Sequence, residues 1–175
     1  MIKGALSFIR VLSASFIFTA AVTNDGVAQN MTKADLAHPL IGTWHLLSVT
    51  SFEPDTKNVS YPYGQHPTGY LQYSAGGHMV VFLSSGELGN AKPPYTDADN
   101  AGFYNVIAGY CGTYTVKGNV VTHHVVTAWR PDWVGVDQTR YIDLKGNKLA
   151  IRTAPIASMQ TGKKIVTTLT WERVE

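Results

Sequence analysis

Two adjacent histidines, His123 and His124, sit in the run "NVVTHHVVTAWRPDW" at 119–133, surrounded by β-branched residues. Imidazole is the side chain suited to proton transfer near neutral pH, and it is a common metal ligand. In an extended strand successive side chains point to opposite faces. Val121, His123, Val125 and Thr127 therefore share one face, while Val120, Thr122, His124 and Val126 share the other. The pair cannot grip one ion between them, and no third ligand accompanies either at metal spacing, so no metal site is expected. Both faces are similarly apolar, which leaves open which one is inside. An inward imidazole needs a partner, because an unsatisfied buried polar group costs about 1–3 kcal/mol.

The next strand supplies polar neighbours. In "DQTRYIDL" at 137–144, alternation groups Gln138 and Arg140 with Ile142 and Leu144. The last two suit a core, and carrying Arg140 inward with them implies either an ion partner or an anionic ligand. The alternative is an arginine whose stem packs at a barrel mouth while its head reaches water. Tyrosines complete the possible pocket: Leu71 and Tyr73 share a face, as do Tyr110, Gly112 and Tyr114. Phenols offer apolar walls with one polar tip, which suits an oxygenated ring or enone; the alternative is that they fill a small core. "PDWVG" at 131–135 reads as a turn. Trp129 and Trp133 beside it place aromatic bulk at one end, as guards of a mouth or as its plug.

These residues must be positioned by strands. Segments 40–50, 69–74, 78–84, 110–116, 120–128, 136–144, 148–153 and 164–174 are β-rich, and most are joined by short Gly-containing turns, "KGN" occurring twice. Eight consecutive antiparallel strands of this length close into an up-and-down barrel, which removes sheet edges. The fold class predicted is therefore all-β, an eight-stranded antiparallel barrel. Between strands three and four, "TDADNAGFYNVIA" at 96–108 opens with a Thr-x-x-Asp cap and predicts a short helix. Phe103 and Ile107 are expected to face inward from it as a lid over one opening.

Gly42-Thr43-Trp44 on the first strand is the Gly-x-Trp signature of lipocalins, and Arg173 on the last strand falls where that family carries a basic residue against the tryptophan. Together with "YPYGQHPTGYLQYS", "YCGTYTVKGNVVTHHV", "PDWVGVDQTRYIDLKGNKLAI" and "LTWERV", these residues resemble the bacterial and fungal lipocalin-like domain family from about Leu40 to Val174. The resemblance implies a calycin-type barrel holding a small apolar ligand and favours the His123 face as the cavity side. It implies no single activity, since barrels of related shape include carriers and a few cyclases or isomerases.

The first 28 residues read differently. Lys3 and Arg10 frame a positive start, 11–22 is apolar and small, and Gly26 and Ala28 have the spacing of an export-signal cleavage site. The apolar run is about twelve residues, short of the roughly 20 needed to span a bilayer, so no stable membrane insertion of the mature chain is expected. Residues 1–28 are thus expected to be a signal peptide, 29–39 a linker and 40–175 the barrel domain. That makes the protein periplasmic or secreted, or cytoplasmic if translation starts at Met31. The single cysteine, Cys111, excludes an internal disulfide and is expected to be buried. A formal charge of +2 with scattered basic residues gives no reason to expect a nucleic-acid partner.

There is no Gly-x-Ser-x-Gly, no Cys–His signature and no phosphate loop, and no cofactor is expected. The leading expectation is an exported protein that binds a small hydrophobic or aromatic molecule in its barrel. His123, Arg140, Gln138, Tyr73, Tyr114 and Trp133 would line the site, with Gly42, Trp44 and Arg173 structural. The alternative is a cyclase- or isomerase-type enzyme in which His123 and a tyrosine do acid–base work on a polyketide- or terpenoid-like substrate. A third reading is a filled barrel acting as an interaction module.

Overall fold

The computed structural model describes residues 38–158 and 161–175. The expected export signal and residues 29–37 of the linker lie outside them. The strands are β1 (Gly42–Glu53), β2 (Asn58–Ser60), β3 (Pro67–Tyr73), β4 (His78–Ser85), β5 (Ile107–Lys117), β6 (Val120–Ala128), β7 (Asp137–Lys145), β8 (Lys148–Thr153), β9 (Ile156–Ala157) and β10 (Lys164–Arg173), with one α-helix, α1 (Asp97–Asn105), between β4 and β5. Neighbours pair antiparallel in the order β2-β1-β3-β4-β5-β6-β7-β8-β10-β9, and β1 also pairs with β10. That last pairing closes eight strands into a barrel, as the sequence predicts. β2 and β9 are short additions that the sequence does not announce.

Alternation drives the closure. In β3 every second residue, from Pro67 to Tyr73, is buried and the intervening ones are exposed. Inward side chains fill one end of the barrel: Leu40, Trp44, Leu46, Leu149 and Trp171 are at most 1% exposed. Trp44 stands opposite Leu71 on β3 and Arg173 on β10, so the signature tryptophan ties the first strand to both neighbours. Its indole N–H donates to the Leu40 carbonyl at 2.9 Å, and the Arg173 guanidinium lies over its ring, 4.1 Å from the centroid. Arg173 also donates to the carbonyls of Ile41 (2.6 Å) and Pro39. Gly42 has φ +136, and a side chain there would collide with the Glu175 carbonyl and the Arg173 guanidinium. The Gly-x-Trp pattern is thus a stopper: glycine makes room for the arginine that covers the tryptophan.

Two local expectations need correcting. The face assignment in the β6 segment holds through Val125 but not at Thr127, which is exposed. Cys111 pairs with Thr127 and Gly112 with Val125, so Val126 is an extra residue, a bulge that reverses the alternation. Gly112 is required at this point, because a Cβ would run into the His124 carbonyl oxygen. Cys111, expected to be buried, is only half-buried; it faces outward beside Val80 and Thr127, lining a shallow external groove.

The helix begins as read, with Thr96 accepting from the Asp99 N–H and Asp99 accepting from Thr96 in a reciprocal cap. It ends at Asn105, because Ile107 already pairs with Ser84 as the first residue of β5. None of its residues is buried. Phe103 packs edge-on against Tyr95, centroids 5.1 Å apart, instead of turning into the barrel. The helix meets the barrel through Tyr104, whose carbonyl accepts from the Trp129 indole at 3.2 Å, and through Asn105, which reaches the cavity wall. Among the described residues no helix is long and apolar enough to cross a membrane.

Candidate functional site

The inward residues of β1 divide the barrel. Trp44 and Leu46 belong to the packed end, whereas Val49, Ser51 and Glu53 line a cavity of about 620 Å³. This is the size range of a small-ligand site. Leu71, Val81, Leu83, Ile151 and Trp171 form its apolar floor and walls, and Trp129, Arg130 and Trp133 stand at the mouth. The "PDW" turn is a single 3-10 turn at Pro131–Trp133. It holds the two tryptophans edge-to-face, 4.8 Å apart. Arg130 sits 5.7 and 5.8 Å from their ring centroids and is clamped by Asp132 at 2.6 Å.

His123 is 2% exposed and reaches the cavity wall. Its two nitrogens each meet a phenol: Nε2 lies 2.6 Å from the Tyr73 hydroxyl and Nδ1 lies 2.8 Å from the Tyr110 hydroxyl. The partner that an inward imidazole requires is thus supplied twice. Burial, reinforced by the charge of Arg140 and then by His124, lowers the His123 pKa to about 3. The ring is neutral at physiological pH, so one nitrogen donates to a phenol oxygen and the other accepts from a phenol O–H. Burial raises the Tyr73 phenol well above its usual range. The Tyr110 phenol is also raised by burial, while the charge and hydrogen bonding of Arg140 pull the other way.

Arg140 is 8% exposed. Its Nη1 donates to the Thr139 carbonyl and its Nη2 to Gln138 Oε1, both at 3.0 Å. Among the described residues no carboxylate lies within ion-pair distance of it. Arg140 is not directly opposite His123; it pairs with Val121, and His123 pairs with Gln138. The guanidinium and the neutral imidazole are diagonal neighbours on one wall. His124 points outward, its Nδ1 2.7 Å from Asp137 and its Nε2 3.1 Å from Thr115. The two histidines are separated by the sheet itself.

Of the residues singled out in the sequence, His123, Arg140, Gln138 and Trp133 line the cavity. Tyr73 stands behind His123 and is 1% exposed. Tyr114 is placed lower, in the packed end, with its ring 4.7 Å from that of Tyr73 and its hydroxyl donating to the Ser74 carbonyl. Tyr110, which the sequence offers as a pocket tyrosine but not among the expected lining residues, lines the cavity and touches both His123 and Trp133. Its shared face with Tyr114 was the available signal.

An eight-stranded antiparallel barrel, stoppered by a tryptophan–arginine pair at one end and hollow at the other, defines a ligand-binding type of barrel. The profile of the lipocalin-like domain family matches residues 41–174, and the chain belongs to that family. No curated protein matches significantly. Among solved structures, a redesigned beta barrel is 17% identical, with a TM-score of 0.35, covering 78% of this chain and 92% of its own.

Proposed function

We propose that the barrel binds a small, mainly hydrophobic or aromatic molecule, and that the chain is exported to do so. The observation that carries the first part is the cavity of about 620 Å³, whose lining combines apolar residues such as Leu83 and Ile151 with polar ones that include His123, Tyr110, Gln138 and Arg140. Apolar surface supplies the driving force, and a few convergent polar groups fix orientation. The support for export is the positive, then apolar, then small-residue order of the first 28 residues. Native mass spectrometry of the freshly purified full chain tests both parts. A co-purified small molecule, released on denaturation, supports binding. A mature mass lacking 28 residues, found in the periplasm or medium, supports export; an intact or Met31-started chain in the cytoplasm removes it.

A second reading is acid–base catalysis on a bound polyketide- or terpenoid-like substrate. It is favoured by phenols at 2.6 and 2.8 Å from a neutral imidazole. Both imidazole nitrogens are occupied, so His123 would act on a substrate through Tyr110. With the proton on Nδ1, the Tyr110 oxygen accepts from His123 and its O–H is free to donate to a substrate carbonyl. Arg140 beside it would stabilise negative charge developing on that carbonyl oxygen. Conversion of an identified ligand that stops in His123→Gln while the ligand still binds would establish this reading over simple carriage.

A further inference from the structure

We infer that the cavity is selective for a monoanion, a small carboxylate on an aromatic or alkyl body, with Arg140 as its anchor. This rests on the cavity-binding reading and specifies the class of ligand within it.

The charges of the cavity do not cancel. Four charged side chains besides Arg140 stand in or beside it, and they form two closed pairs: Arg130 with Asp132 at 2.6 Å, and Lys163 with Glu53 at 3.2 Å. Arg140 is the cation left over. His123 contributes no compensating charge in either direction, because the ring is neutral and both its nitrogens are bonded to phenols. A buried guanidinium without a counter-ion is costly, and the cost is relieved when an anion arrives. One net positive charge calls for one negative charge.

The hydrogen-bond inventory points the same way. Arg140 carries five N–H donors in a planar fork. The Thr139 carbonyl and Gln138 Oε1 take two of them and the Tyr110 phenol oxygen stands as a further acceptor; all are neutral oxygens, weaker partners than a carboxylate. Gln138 is half-buried and lines the cavity itself. On the floor, the Trp171 indole N–H is buried with no acceptor among the described residues. The cavity groups left short of partners, the Arg140 fork and the Trp171 indole, are thus both donors, which favours an acid over an amine. The apolar walls of Leu83 and Ile151 and the tryptophans at the mouth then suit a flat or chain-like body attached to that acid group.

The test uses the full-length protein and a matched pair of probes, cinnamate and cinnamyl alcohol, which share a body and differ in charge. Binding is read by quenching of the cavity tryptophans at pH 7. The acid is expected to bind at least about tenfold more tightly than the alcohol, the scale of one charge-assisted hydrogen-bonded contact. In Arg140→Met the ratio should collapse towards one, and in Arg140→Lys it should fall partway. In Arg152→Gln, which removes an exposed cation on the outer face of β8, the ratio should persist. If Arg140→Met does not fold, the wild-type ratio and Arg140→Lys still decide. Equal affinities for the two probes in the wild type, or a ratio that survives Arg140→Met, would overturn the carboxylate assignment while leaving cavity binding intact. Failure of both probes to bind would remove the cavity reading and this inference with it.

Discussion

Tyr110 and His123 lie on adjacent strands of one hairpin, and the phenol oxygen stands 2.8 Å from the imidazole Nδ1. Between the two residues the register shifts at a bulge at Val126. That extra residue sets Tyr110 opposite Ala128 instead of Thr127.

The buried histidine should make stability fall in acid. Its native pKa is depressed to about 3, against 6.5 for the free group. Above pH 6.5 both folded and unfolded chains hold it neutral and it contributes no pH dependence. Below that, the unfolded chain takes up a proton that the native chain refuses, so stability declines as pH falls towards 3, by at most about 1.4 kcal/mol per pH unit. Urea titrations of wild type and His123→Gln at pH 7 and pH 5 check this. The variant should show a visibly shallower loss, and identical slopes would mean that the imidazole is not held neutral.

Trp44→Ala should cost about 3–5 kcal/mol, as removal of a fully buried large aromatic does. Arg173 would lose the ring it covers, and Leu40 the donor to its carbonyl. An unchanged denaturant midpoint would contradict the stopper role.

Gly112→Ala should be among the most damaging single substitutions, losing about 3 kcal/mol or more through backbone collision at the bulge. Soluble yield and melting temperature read it directly. A melting temperature equal to wild type would show that the strands can part there without penalty.

The two histidines should separate functionally. His124→Ala removes an exposed contact with Asp137 and should leave cinnamate binding unchanged within about a factor of two, since exposed ion pairs are weak. His123→Ala opens the wall beside Arg140 and should weaken binding about tenfold or more. The opposite outcome would put the ligand on the outer surface.

Hydrogen exchange should find the amides of α1 far less protected than those of β3 or β6. The helix buries none of its residues, and its local opening therefore costs little. Equal protection would mean that it is locked against the barrel.

Much of the architecture was legible because strand alternation and turn chemistry are local. The eight strands and the helix cap at Thr96 and Asp99 follow from spacing of two or from four consecutive residues, whereas spacing puts His123 and His124 on opposite faces without saying which face is inside. Trp44 and Arg173 were paired by family resemblance, and their contact joins the two ends of the barrel, which no local pattern encodes. The errors arise where geometry departs from a regular count. Thr127 was placed inside because a bulge does not appear in a periodicity of two. Phe103 was turned inward because a helical spacing does not say that Tyr95 will offer an edge. Tyr110 was grouped with Tyr114, yet the two serve different levels of the barrel, and only cross-strand register separates the one at His123 from the one at Ser74.

With Trp44, Leu149 and Trp171 filling one end, the described barrel is a cul-de-sac. Whatever occupies it must back out past Trp129 and Trp133 before a successor can enter. Exchange should then proceed at a rate set by departure alone, unaffected by how much competitor waits outside, and two guests cannot pass each other or be handed through in sequence.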